Sequence, residues 1–382
     1  MALKTAKRGA IPPFIVMDVM RAASEREATG KDVLHMEVGQ PGTAAPAAVR
    51  EAARAALQDD RLGYTLALGI APLRARLSQH YKNVYGLDVP SSRIVVTTGS
   101  SGAFVVSFLS VFDAGDRVAL ADPGYPAYRN ILKSLNIEVI GIPVGPEDNF
   151  QPTPQSLAKI DGQLDGLIIA SPSNPTGTMI GADQMAALVD YCKERDIRLI
   201  SDEIYHGVTY EQPACSALAF SDEAIIINSF SKYFSMTGWR LGWMVVPESL
   251  LRSVECLSQN LFISPPTLSQ LAAIAAFDCV EELDGLVANY KRNRDLLLEL
   301  LPQAGFDKLS KAEGAFYLYA DVSHLTNDSQ EFCRRCLEET GVAITPGVDF
   351  DPQRGNQTVR FSFAGPYQDI AEAAKRLIAW KR

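Results

Sequence analysis

The stretch Leu167-Ile-Ile-Ala-Ser-Pro-Ser-Asn-Pro-Thr-Gly177 joins two kinds of sequence without a spacer. LIIA is apolar at four consecutive positions, so it has no wet face, and such a run suits a strand buried inside a parallel sheet. The PSNPTG that follows cannot prolong it. Its prolines and glycine make turns, while Ser173, Asn174 and Thr176 bring hydrogen-bonding side chains. Working outward, the pattern recurs in Arg198–Tyr205 (RLISDEIY), Ala224–Lys232 (AIIINSFSK), Ile94–Gly102 (IVVTTGSSG) and Val118–Pro126 (VALADPGYP). Two further apolar runs, Val139–Ile142 and Trp243–Val246, bring the count to seven. Helical patterns such as Gly181–Arg195 lie between them. Strands alternating with helices predict an α/β fold: a mostly parallel seven-stranded sheet flanked by helices, with right-handed crossovers.

After Ser264 the pattern changes. A long helical stretch follows Pro266 and ends near Pro302 and Gly305. Strand-like runs Ala315–Ala320 and Val359–Phe363 then bracket a helix over Glu331–Thr340, and a closing helix starts near Gln368. This predicts a smaller α+β domain. The expected division is 1–45 as an N-terminal arm and part of the small domain, 46–280 as the large domain, and 281–382 as the small C-terminal domain.

The 382 residues are 47% hydrophobic and 21% charged, which excludes a disordered chain. With 36 basic and 45 acidic side chains the net charge is -9, which argues against a general nucleic-acid binder. The longest apolar run, near Leu271–Phe277, is far short of the ~20 residues that span a bilayer. The start, MALKTAKRGAIPPF, lacks the apolar core of a signal peptide. Six scattered cysteines suit a reducing cytoplasm. Cys333 and Cys336 share one face of a helix, which favours core packing over zinc or redox use. The four histidines (His35, His80, His206, His324) do not cluster at metal spacings, so no metal is expected. No G-x-S-x-G elbow occurs.

In open α/β sheets, ligands bind beyond the carboxyl ends of the strands, and here the polar turns gather at that rim. Gly99-Ser100-Ser101-Gly102 offers free N–H groups at a helix start, for a phosphate or simply as a cap. Asp202 ends a buried strand and needs a cation or several donors; a helix cap or a structural ion pair is the plainer reading. Lys232 follows another buried strand, either as a nucleophile able to form a Schiff base or as a turn lysine. Arg240 lies in GWRLGW, as an anion ligand or stacked on tryptophan.

Jointly, SPSNPTG, SDEIY, SFSK and GWRLGW, in this order and spacing, closely resemble fold-type I pyridoxal 5′-phosphate (PLP) enzymes of the class I/II aminotransferase group. The resemblance runs from about Val38 to Phe363. It implies an aminotransferase that moves an amino group from an L-amino acid to a 2-oxo acid. Lys232 would carry PLP as a Schiff base and shuttle the proton on the way to a ketimine and pyridoxamine form. Asp202 would pair with the ring nitrogen. Tyr205 and Asn174 would bond the ring's phenolate oxygen, and Tyr125 would stack on its face. Ser100, Ser101, Ser229 and Arg240 would form the phosphate cup. Tyr64 would reach the phosphate of a neighbouring subunit, which implies a homodimer with shared sites. Arg360 would grip the substrate α-carboxylate, with Asn174 beside it and the backbone of Gly39 facing the same group. His206 adjoins Tyr205 and receives no role.

Two alternatives stand beside this reading: a PLP-dependent carbon–sulfur β-lyase, and a non-catalytic PLP- or amino-acid-binding module. Aspartate-specific relatives use an added arginine for the distal carboxylate. The position aligned with it is Gln259. Phe14, Ile15 and Phe262 are expected to line an apolar side-chain pocket, so neutral or aromatic donors are expected over strict aspartate.

Overall fold

The computed structural model describes residues 3–59 and 61–381. After a short 3₁₀ segment (Lys7–Gly9) comes helix α1 (Ile15–Ala28), and a seven-stranded sheet is built between residues 94 and 245. Its strands are β1 (Ile94–Thr97), β2 (Arg117–Asp122), β3 (Glu138–Pro143), β4 (Gly166–Ala170), β5 (Arg198–Asp202), β6 (Ile225–Ser229) and β7 (Gly242–Val245), and α2 (Gly99–Val111) follows β1. The spatial order is β1-β7-β6-β5-β4-β2-β3. Only β7 runs against its two neighbours; every other pairing is parallel. All seven apolar runs of the sequence are strands of this sheet.

The apolar runs explain why the sheet is buried on both faces. Successive side chains of a strand point to opposite faces. Leu167, Ile169, Leu199, Ile226 and Trp243 therefore enter one core, and Ile168, Ile200, Ile225, Ile227 and Met244 enter another. Helices cover both cores, as a parallel sheet requires.

Beyond Ser264 the long helical stretch is broken once. Thr267–Ala273 passes through a 3₁₀ segment, Ile274–Asp278, into α3 (Val280–Leu300). A four-stranded antiparallel sheet follows, ordered β10-β11-β9-β8 from Lys308–Leu309 (β8), Tyr317–Asp321 (β9), Thr345–Pro346 (β10) and Thr358–Ser362 (β11). Helices α4 (Ser329–Thr340) and α5 (Tyr367–Ala379) pack with it around a separate core. Cys333 and Cys336 lie one turn apart on α4, both buried in that core. Residues three apart on a helix share a face.

Long-range contacts close the small-sheet side and join it to the end of β2. Leu34–His35 pairs in parallel with Val342–Ala343, and Ser362 N–H bonds the carbonyl of Met36. Gly124 N–H bonds the carbonyl of Phe350. Among the described residues no helix is long and apolar enough to cross a membrane, and no group of three or more His, Cys, Asp or Glu is placed to hold a metal.

Candidate active site

The pocket lies at the carboxyl ends of β1, β2, β4, β5 and β6. It is lined by Ser100, Ser101, Tyr125, Asn174, Asp202, Tyr205, Lys232 and Arg240, with Gly39 and Arg360 arriving from the small-sheet side. Residues spread over 321 positions of sequence thus meet because parallel strands end at one rim. Ten of the twelve residues that the resemblance assigns to the cofactor and the carboxylate line this one cavity.

At its floor, Asp202 is 2% exposed. Its Oδ1 accepts the Ile204 N–H at 3.0 Å, and its Oδ2 accepts the Tyr128 hydroxyl in a very short bond. Burial pushes this carboxyl up to about 6, against the pull of those two donors and of Lys232. Lys232 stands on the turn after β6, its Nζ donating to the Gly39 carbonyl at 2.6 Å. Burial, helped by the Arg360 and Arg240 charges, lowers the amine from 10.5 to about 8, with Asp202 pulling the other way. An amine so placed is uncharged far more often at neutral pH than a surface lysine.

At one end, α2 presents Ser100 and Ser101 in its first turn, where backbone N–H groups have no partner inside the helix. Arg240 meets this turn with φ +50° and donates from Nη1 to the Thr237 carbonyl at 3.1 Å. A Cβ at Gly99 would lie 2.6 Å from Arg240 Nη2, so glycine is what lets the guanidinium press against the helix start. Ser229 does not reach the cavity. Its hydroxyl donates to Ser231 Oγ at 2.8 Å, and Ser231 is the lining serine.

At the other end, Arg360 is 3% exposed. Nη1 donates to Asn174 Oδ1 at 2.9 Å; Nη2 donates to the Glu37 carbonyl and, at 3.3 Å, to Thr345 Oγ1. Its guanidinium lies 4.4 Å from the Tyr317 ring centre and 4.7 Å from that of Phe350. Nε is buried without a partner. Tyr317 also holds Tyr205, hydroxyl to hydroxyl at 2.6 Å, and a Cβ at Gly39 would lie 1.8 Å from the Tyr317 oxygen. Any larger residue at position 39 would have to displace Tyr317.

Tyr64 is not in the pocket: it is 84% exposed on the chain surface. His206 faces away, with Nδ1 2.7 Å from the Tyr85 hydroxyl and 3.5 Å from Glu203 Oε2. The expected apolar lining needs correction in two places. Phe14 does line the pocket, edge-on to Tyr125 at 5.7 Å, but Ile15 faces a different groove with Pro13 and Pro346. Phe262 lies on the outside, 37% exposed beside Gly102. Helical geometry explains the first: α1 turns about 100° per residue, so Ile15 points roughly 150° away from the middle of the Val16–Met17 face that lines the cavity.

Sequence reasoning missed Tyr128, Tyr317, Ser231 and the Val16–Met17–Val38 wall. Tyr128 had a legible signal, since it stands three residues after Tyr125 at a helix start marked by Pro126. Tyr317 had none; its place depends on the pairing of β9 with β11.

The donor chemistry suits one kind of molecule. A phosphate fits the free amides, hydroxyls and Arg240 at the α2 start. A protonated ring nitrogen fits Asp202, whose hydrogen-bond partners are neutral. An aldehyde fits the Lys232 amine, and a carboxylate fits Arg360. PLP bears the first three groups, and an amino acid bears the last.

Comparison with known proteins agrees. The family model for "Aminotransferase class I and II" matches residues 31–377. A valine–pyruvate aminotransferase of Mycobacterium tuberculosis is 52% identical over 382 residues, covering 99% of this chain and 98% of that protein. The crystal structure of an aminotransferase from Mycobacterium tuberculosis superposes with a TM-score of 0.97 at 51% identity, covering 99% of both chains. An aspartate aminotransferase from Thermus thermophilus, solved with maleate, gives 0.92 at 31% identity over 99% of this chain and 100% of that one. The chain belongs to the class I and II aminotransferases, PLP-dependent enzymes that exchange amino groups between amino acids and 2-oxo acids.

Proposed function

We propose that the enzyme transfers the amino group of a neutral aliphatic L-amino acid, with valine the type donor, to a small 2-oxo acid such as pyruvate. One observation carries the reading. Where a donor side chain would project, this chain offers Phe14, Val16, Met17 and Val38, and its lining cations are Lys232, Arg240 and Arg360 alone. Lys232 and Arg240 face the cofactor and Arg360 the α-carboxylate, which leaves no cation of this chain for a second carboxylate. The relative named for valine and pyruvate supports the same choice.

PLP supplies an electron sink for the charge left at Cα when its proton departs. The protein residues do the rest. Ser100, Ser101, Ser231 and Arg240 anchor the phosphate, with Ser229 orienting Ser231. Asp202 would hold the proton on the ring nitrogen. Tyr205 and Asn174 would donate to the phenolic oxygen, with Tyr125 beside the ring. Lys232 Nζ would hold the cofactor through its aldehyde carbon, with loss of water, and is the amine placed to take up and return the Cα proton. An amine near 8 is suited to both directions. Arg360, fixed by Asn174 and by two aromatic faces, orients the carboxylate.

The same reading includes a homodimer in the cytoplasm, supported by six free cysteines and by exposed Tyr64, Leu66 and Ile263 near the α2 end of the site. Its domains divide at about 45 and 280. The test is spectral: purified holoenzyme is mixed separately with valine, alanine, aspartate and phenylalanine. Valine or alanine should convert the visible band to that of the aminated cofactor, and pyruvate should restore it. Conversion by aspartate ahead of both would overturn the reading.

A further inference from the structure

Helix α1 carries Phe14, Val16 and Met17 to the pocket, yet it lacks the usual means of starting there. The residue at its N-cap is Phe14, in extended conformation (φ −90°, ψ 98°), whose side chain has no acceptor for the free first-turn amides. The acceptor comes from far along the chain. Asp349 Oδ1 takes the Ile15 N–H at 3.0 Å, and Oδ2 takes the Val16 N–H at 3.2 Å. Asp349 is 3% exposed, so these bonds are shielded from water. Its own position is doubly fixed. Arg129 Nη2 donates to its carbonyl at 3.1 Å, while Arg129 Nη1 holds Asp122 at the end of β2 at 3.1 Å. The next residue, Phe350, covers Arg360. Asp349 therefore touches the frame of the carboxylate site on one side and the donor side-chain wall on the other. The far end of α1 is tied independently, Arg26 donating to the carbonyls of Asp32 and Glu338 at 3.1 Å each.

From this arrangement we infer that Asp349 is a positioning residue for donor selection: by capping α1 from a distance, it sets how far the Phe14–Met17 wall stands from Arg360. This rests on the proposed use of neutral donors. A donor with a branched side chain must touch the wall; alanine reaches it far less. Loosening the cap should thus cost large donors more than small ones.

The test compares wild type with Asp349→Asn, which keeps the shape but turns an amide N–H toward one of the two helix amides. Steady-state kcat/KM is measured for valine and alanine with a common acceptor, and hydrogen exchange is followed at residues 15–19 in the holoenzyme. The ratio of valine to alanine kcat/KM should fall roughly fivefold, the factor that a lost N-terminal cap corresponds to. The fall should come through KM, with faster exchange at 15–19. Ile15→Pro is the second variant. Proline suits the first helical position, deletes one capped N–H, and leaves Asp349 and the wall side chains in place. It should shift the ratio the same way. Equal losses for both donors, or an unchanged ratio, would overturn the inference, as would unchanged exchange at 15–19. If wild type prefers aspartate, the functional reading fails instead; the exchange result then still decides whether Asp349 holds α1.

Discussion

Replacing Arg360 with lysine keeps the charge and removes the fork. Arg360 is already held by Asn174 at 2.9 Å, by the Glu37 carbonyl and by Thr345 at 3.3 Å, between the rings of Tyr317 and Phe350. It therefore pays little ordering entropy when a carboxylate arrives. A hydrogen bond to a charged group contributes about 1.5–3 kcal/mol. Lysine can keep one such bond to the carboxylate, loses the second, and loses stacking of about 0.5–2 kcal/mol that fixes the group's direction. Together these are a loss of about 2–5 kcal/mol, a fall of roughly 30- to 4,000-fold in kcat/KM at ~1.4 kcal/mol per decade. Valine and pyruvate both carry the carboxylate, so both half-reactions should suffer, each measured by single-turnover absorbance. Isobutylamine, a donor without a carboxylate, should be slow with wild type and no slower with Arg360→Lys. The cofactor's visible band in the resting variant should be retained. A loss under about threefold for valine, or an equal loss for isobutylamine, would refute the argument that Arg360 acts on the carboxylate.

Two further expectations concern pH. In protein stripped of cofactor, reductive alkylation of Lys232 by a small aldehyde should rise with a midpoint near pH 8, because burial lowers the amine to about 8; a midpoint near 10.5 would contradict the burial argument. His35 lies 2.8 Å from Glu37 and 3.2 Å from Glu27, and the Glu37 bond leads in raising it to about 9 despite partial burial. The folded state then binds that proton more tightly than the unfolded chain. Its stabilisation is full below about 6.5 and is lost as pH rises through about 9. The Tm of wild type should exceed that of His35→Gln at pH 6 and approach it at pH 10; a gap independent of pH would contradict this.

Much of the site was legible because its chemistry is concentrated where strands end. Asp202, Lys232, Asn174 and Ser100 each follow an apolar run directly, so naming the strand also placed the residue at the rim. Local signals went no further. Ser229 and Ser231 both belong to SFSK, and only the turn's conformation decides that Ser231 faces the cavity. Ile15 and Val16 are equally apolar neighbours, and only the seating of α1 decides which one meets the donor. Tyr317 and Tyr319 read alike in AFYLYA; the register that sets Tyr319 opposite Arg360 and Tyr317 opposite Ser362 is fixed by strand pairing.

The sequence by itself determined the sheet, its buried faces and the reactive groups on its rim, because these follow from side-chain periodicity and turn chemistry within ten residues or so of chain. Opposite that rim the family resemblance supplied Arg360 and Gly39, and the tertiary structure alone decided what packs around them. Asp349 capping a helix 333 residues away, Tyr317 bridging Tyr205 to Arg360, and the wall of Phe14, Val16 and Met17 all depend on how separate elements pack. Such contacts have no local signature, since any buried acceptor could have met those amides and only the packed cores fix which one does.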